Sequence, residues 1–322
     1  MHLFAAALVL LLVSSFPARA QVTGAQAIDN AVRCSEMKDP DQALPYCTAA
    51  IESGQLSTEN LAATFSNRGL AYKKKGDLDR AIQDYDHALQ LFPKNAETFT
   101  NRGNVYDEKG NIDRAIQDYD EAVRLDPSYA LAFNNRGFAY SRKGDLDRAL
   151  QDFEQAIRLD PRDPEAVGNR GLIHFYRGEL TAAQPDFAKA LELDPSDSET
   201  ALWLYLARTK AGQDARSELE TNTAPLKLEA WPGQVVNLYL GKATPQAVLS
   251  AAANSDPTTD KKQHCAAYFY LGEYVLIGGK RDEAKGLFQK AMATGATYSI
   301  EYIGAQQELK HMPANQPVKA AH

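Results

Sequence analysis

Small, apolar and aromatic positions return along this chain with a strict period of 34 residues. The frame is easiest to see in Asn67-Arg68-Gly69, Asn101-Arg102-Gly103, Asn135-Arg136-Gly137 and Asn169-Arg170-Gly171. Units counted from Ala62, Ala96, Ala130 and Pro164 carry Gly at position 8, Ala at positions 20 and 27, and an aromatic at position 24 (Tyr85, Tyr119, Phe153, Phe187). Gly76, Gly110, Gly144 and Gly178 at position 15 stop a first helix. Asp77, Asn111 and Asp145 follow as N-caps for a second helix, with Glu179 a weaker fourth. Pro93, Pro127, Pro161 and Pro195 end it. Small residues let paired helices approach, and the large rings fill the space between layers. A fixed period of this length predicts stacked helical hairpins, an all-α solenoid that works through a concave face.

This frame resembles the tetratricopeptide repeat (TPR) family over four tandem units, 62–95, 96–129, 130–163 and 164–197, and implies a right-handed superhelix. Worn repeats flank them. Residues 21–61 form an N-terminal hairpin and 198–262 a degenerate helical stretch in which Tyr205 sits where the close-packing Gly belongs. Residues 263–311 hold a last repeat (Gly272, Gly279, Ala284, Phe288, Ala291) and a capping helix over 299–311. Residues 312–322 are expected to be disordered.

The first twenty residues read as an export signal: an apolar run, Leu3–Val13, then Ala18-Arg19-Ala20 before Gln21. The run is too short to span a bilayer, and no Cys follows the cleavage point to accept a lipid. A periplasmic or secreted location is therefore expected. Cys34 and Cys47 fall at core positions of the two helices of the first hairpin; they form either a disulfide, favoured in an oxidising compartment, or two buried thiols. Cys265, beside His264, reads as a structural thiol because no second ligand cluster accompanies it.

Loss of Arg19 with the signal takes the formal charge from -7 to -8. An acidic surface disfavours nucleic acid and anionic membrane as main partners. No phosphate loop, zinc spacing or catalytic constellation appears, so neither cofactor, metal nor catalytic residue is assigned and the chain is not read as an enzyme.

Chemistry is expected in the groove. Asn67, Asn101, Asn135 and Asn169 at position 6 face the concave side, and each amide can pair with both N–H and C=O of an extended peptide. Four at one-repeat spacing resemble the asparagine ladder of O-GlcNAc transferases; the alternative is four solvated amides. Asn104, Phe138, Phe175 and Tyr176 are candidate contacts for ligand side chains, and Lys73, Lys74 and Arg142 for an acidic partner. The recurring Arg68, Arg102, Arg136 and Arg170 are expected to pair with Asp84, Asp118, Asp152 and Asp186 rather than with ligand.

The order Ala201-Leu202-Trp203-Leu204-Tyr205-Leu206, Trp231-Pro232, Leu238-Tyr239-Leu240-Gly241 and Phe269-Tyr270-Leu271-Gly272 is similar to NlpI-type TPR proteins of Gram-negative envelopes. That resemblance implies a non-enzymatic adaptor, homodimeric, joining a periplasmic protease to peptidoglycan hydrolases. The missing lipid-accepting Cys and the added Cys34/Cys47 hairpin depart from the family's founding type. The alternative is an assembly subunit of a secretion or polysaccharide-export complex.

Overall fold

The computed structural model describes residues 22–312. The expected signal segment and the tail beyond Met312 lie outside the described residues. Among the described residues all regular structure is helical, and five hairpins come first: α1/α2 (Gly24–Glu36, Pro40–Glu52), α3/α4 (Thr58–Lys74, Leu78–Leu91), α5/α6 (Ala96–Glu108, Ile112–Leu125), α7/α8 (Ala130–Lys143, Leu146–Leu159) and α9/α10 (Pro164–Tyr176, Leu180–Leu193). Helix α11 (Ser198–Lys210) opens the degenerate stretch, which continues as the short helices α12 (Arg216–Thr223), α13 (Gly233–Tyr239) and α14 (Pro245–Ala251). The long α15 (Pro257–Ile277), α16 (Arg281–Ala293) and α17 (Ile300–His311) complete the chain.

The position-8 glycines are a packing requirement. A Cβ on Gly69, Gly103, Gly137 or Gly171 would stand 3.0, 2.7, 3.0 or 2.9 Å from the ring of Tyr85, Tyr119, Phe153 or Phe187, and on Gly272 2.5 Å from Phe288. The last pair shows the same frame holding α15 to α16. Turn glycines at position 15 take positive φ, between 75° and 81° from Gly76 to Gly178, a conformation costly for a side chain with Cβ. Asp77, Asn111 and Asp145 accept from the N–H groups of Arg80, Arg114 and Arg148, whereas Glu179 makes no side-chain cap.

The arginine column is tied as expected. Arg68 donates to both oxygens of Asp84 at 2.8 Å, and Arg136 to Asp152 at 2.8 and 2.7 Å; Arg102–Asp118 and Arg170–Asp186 repeat the fork. Arg102 and Arg136 also reach back to Asp86 and Asp120 of the preceding hairpin, at 2.6 and 2.8 Å. The column therefore binds helix to helix and repeat to repeat.

At α11 the solenoid changes character. Trp203 occupies position 6, the place of Asn in the four units before it, and is only 2% exposed. Its ring lies 5.2 Å from Phe175, 6.1 Å from Tyr176, 5.2 Å from Phe269 and 5.9 Å from Tyr270. An indole here converts concave surface into core, and α15 and α17 fold back onto it. Tyr176 donates to the carbonyl of Ile300 at 2.6 Å, and a Cβ on Gly304 would lie 3.3 Å from the Tyr176 ring. Lys210 Nζ reaches Glu273 at 3.1 Å and Glu308 at 2.6 Å and stands 5.0 Å above the Phe175 ring, joining α9, α11, α15 and α17. Met312, expected to begin a disordered tail, is buried as the C-cap of α17.

In the first hairpin the sulfurs of Cys34 and Cys47 are 2.15 Å apart, with Cα atoms 4.9 Å apart, bonding α1 to α2. No helix among the described residues is long and apolar enough to cross a membrane.

Candidate functional site

The folded-back C-terminal segment turns an open groove into a walled cleft of about 1130 Å³. One wall is the concave face of α5, α7 and α9, contributing Asn104, Leu131, Asn135, Phe138, Glu165 and Asn169. The opposite wall is the start of α15, with Pro257, Lys261 and Lys262, and the turn into α17, with Tyr298 and Glu301. In the order of the helices, Glu199 of α11 lies toward one end of the lining and Lys73 of α3 toward the other.

Successive repeats present their amides already hydrogen-bonded to one another. Asn135 Nδ2 donates to Asn104 Oδ1 at 2.8 Å, and the same oxygen accepts from Tyr119 OH at 2.7 Å. Asn169 Nδ2 donates to Asn134 Oδ1 at 3.1 Å. These bonds fix which way each carboxamide faces and leave the Asn135 and Asn169 oxygens, with one N–H each, for a ligand backbone. Leu131, large and exposed, and the half-buried Phe138 supply apolar contact beside them.

Of the expected site residues, Asn104, Asn135, Asn169, Phe138 and Lys73 line the cleft. Asn67 and Asn101 share the column but do not line the cleft, although Lys73 on the helix of Asn67 and Asn104 on the helix of Asn101 do. Lys74 is exposed outside the cleft. Phe175 and Tyr176, expected as groove anchors, are instead core side chains, 4% exposed each. Trp203 and α17 cover them. Arg142, expected to await an acidic partner, is spent internally: it pairs with the Asp107 carboxylate and donates to the carbonyl of Thr297 at 3.2 Å. It thereby latches α7 to the C-terminal turn.

The acidic members escaped sequence reasoning. Glu165 and Glu199 sit at position 2 of successive units, a concave position that holds Ala63, Glu97 and Leu131 in the units before and so shows no repeat. Glu301 belongs to the capping helix, which periodicity alone does not place over the groove. Burial pushes Glu165 and Glu199 upward from the ordinary carboxylate range. Burial first and Glu199 second push Glu301 up to about 7. Lys262 pulls Glu199 and Glu301 the other way. Asp107 is raised by burial against the pull of Arg142.

A TPR repeat model matches residues 69–110 and 103–144, and a tetratricopeptide repeat model matches residues 137–215. Residues 69–215 are therefore tetratricopeptide repeats, a class of repeat that binds proteins or peptides, and the described residues around them continue as an all-α solenoid. Among curated proteins it is similar to the lipoprotein NlpI homolog of Haemophilus influenzae (strain ATCC 51907 / DSM 11121 / KW20 / Rd), 33% identical over 113 residues. The match spans 34% of this chain and 35% of that protein. Among solved structures, a tetratricopeptide repeat protein from Parabacteroides merdae ATCC 43184 shares the fold at 19% identity and a TM-score of 0.54, over 89% of this chain and 97% of that one.

Proposed function

We propose that this chain is a non-enzymatic adaptor of the cell envelope, exported by its N-terminal segment, that takes an extended segment of a partner protein in the walled cleft. The observation that carries this reading is the pair of pre-oriented amides, Asn135 and Asn169, one repeat apart inside a cleft of about 1130 Å³. Paired donors and acceptors at that interval suit a peptide main chain, while Leu131 and Phe138 give its side chains an apolar surface. The Cys34–Cys47 bridge accords with an oxidising compartment. The likeness to a protein described as a lipoprotein NlpI homolog supports an envelope role. On that basis the partners we propose are a periplasmic protease and peptidoglycan hydrolases, brought together by a homodimer of this chain. A role as a structural subunit of an export complex fits less well. Large exposed apolar side chains, such as Ile28 with Val32 on α1, Phe92 after α4 and Ile277 at the end of α15, fall on separate elements rather than on one broad face.

The test is a pull-down from periplasmic extract with the chain lacking its first twenty residues, wild type beside Asn135→Ala/Asn169→Ala. Partners held by wild type and lost by the double variant, which keeps the wild-type helical dichroism while its melting temperature falls modestly with the two lost amide bonds, are the expected result. Equal retention by both moves binding away from the cleft.

A further inference from the structure

The α11 end of the cleft holds more negative charge than its own structure uses. Glu165, Glu199 and Glu301 come from three helices, α9, α11 and α17, to one end of one cavity. None of the three makes an ion pair among the described residues. Glu301 is the decisive member: it is 2% exposed, it lines the cleft, and its Oε2 has no hydrogen-bond partner. A buried acceptor left unsatisfied costs stability, and a carboxylate more than a neutral group. Such a group persists where a ligand completes it.

We propose that this end of the cleft receives a positively charged group of the bound peptide, a lysine or arginine side chain or a free N-terminal amine, held by Glu165, Glu199 and Glu301. The inference rests on the peptide-cleft reading above and specifies its ligand. The carboxylates are not gathered as a metal site: no set of three His, Cys, Asp or Glu among the described residues could hold an ion. They line the same cleft as the amides of Asn135 and Asn169, which would deliver a main chain to them, and Glu199 stands close enough to Glu301 to raise its carboxyl. Two ammonium groups, Lys261 and Lys262, share the wall. Neither neutralises the three carboxylates by direct contact, and Lys261 Nζ lies against the backbone at Gly295, in the turn leading to α17.

The same geometry makes capture depend on pH. Glu301 is faced by Glu199 of α11, Lys262, Cys265 and Tyr270 of α15, Tyr176 of α9, and Ser299 of its own turn. Its proton is held up to about 7. An incoming cation binds the ionised form, so its capture displaces that proton and tightens as pH rises from 5.5 to 8.

The experiment uses the chain without its first twenty residues and a bead-bound library of random dodecapeptides, acetylated and amidated at their ends. A second library has free N-termini and contains no Lys or Arg. Retained sequences are resynthesised with norleucine in place of Lys and titrated calorimetrically at pH 5.5, 7 and 8. We expect retained capped peptides to share a Lys or Arg, and norleucine to weaken binding about tenfold or more. Glu199→Gln/Glu301→Gln should remove that discrimination while keeping the wild-type helical dichroism and a melting temperature no lower than wild type. Should that double variant fold poorly, Glu165→Gln, on the solvent side, is expected to show a smaller loss of the same sign. Preferential retention from the free-amine library assigns the cation to the peptide N-terminus. Norleucine peptides that bind equally well, yet are lost with Asn135→Ala/Asn169→Ala, overturn the cation receptor and leave the peptide cleft standing. Binding that survives the Asn double variant, or no retention from either library, overturns both.

Discussion

Arg136 shows how much one repeated side chain does here. It forks onto Asp152 of its own hairpin and reaches Asp120 of the hairpin before, with only 17% of its side chain exposed. Asp152 is nevertheless raised by burial, which outweighs the guanidinium beside it, so removal of the arginine strands a poorly solvated carboxylate. Arg136→Ala should therefore cost about 2–4 kcal/mol in urea unfolding at pH 7; a loss no larger than that of an exposed surface pair would show the column to be ornamental. Glu301 behaves in the opposite sense. Its folded carboxyl keeps its proton up to about 7, while an unfolded glutamate gives its proton up near the ordinary value of 4.5. Between those values the folded state binds more protons, so stability falls as pH rises. Glu301→Gln, which cannot ionise, should match wild type at pH 5 and exceed it by about 1–3 kcal/mol at pH 9 in chemical denaturation. The column of arginines and aspartates was legible, because both members recur at fixed positions 16 residues apart. Glu301 was not, because its environment comes from α9, α11 and α15.

The four hairpins from α3/α4 to α9/α10 each close on one glycine and one ring, as α15/α16 does. Since a Cβ on Gly137 would stand 3.0 Å from Phe153 and 3.2 Å from the carbonyl of Ala149, the helices must separate to admit it. Gly137→Ala is expected to destabilise by about 1–3 kcal/mol, visible as a lowered melting temperature without loss of helix at 20 °C. Between hairpins, a second series crosses the outer edge: Lys109–Asp79, Lys143–Asp113 and Arg177–Asp147, at 2.6 to 3.0 Å. These pairs are exposed and each adds less than about 1 kcal/mol, so register rests on the rings and the buried arginines. Hairpin boundaries were readable for the same reason. The stop glycines, caps and prolines are local devices that act without knowledge of the rest of the fold. The helix α3 begins at Thr58, four residues before the frame's Ala62, and α15 at Pro257, eight before Cys265. Ser57 and Asp256 cap those extended starts, and period counting does not see them.

At the scale of the molecule, two regimes meet. From α1 to α6 contacts run between sequence neighbours, as in any solenoid, and stability should be a local sum. From α7 onward the chain is cross-linked over long separations, by Arg142 to Thr297, Tyr176 to Ile300, and Lys210 to Glu273 and Glu308. Lys210→Met leaves two buried carboxylates without their shared cation. Hydrogen exchange should then rise together in α9, α11, α15 and α17 while α1–α6 exchange as in wild type. Uniform acceleration along the whole chain would show instead that the solenoid unfolds as one unit.

By itself the sequence determined the repeat, the hairpins, the buried arginine pairs and a concave amide column, because each rests on spacing within about 34 residues and on the chemistry of single side chains. The tertiary structure alone decided where the groove ends and what closes it. Trp203 in place of a fifth Asn marks the point, since a large indole cannot be left in water on a concave face and must be covered. The covering segment is some 60 to 100 residues further along the chain. Its return makes core of Phe175 and Tyr176, engages Arg142, and brings Glu301 to the cleft floor beside Glu199. No periodic pattern encodes that encounter, which arises from apolar surface being removed from water by the part of the chain able to reach it.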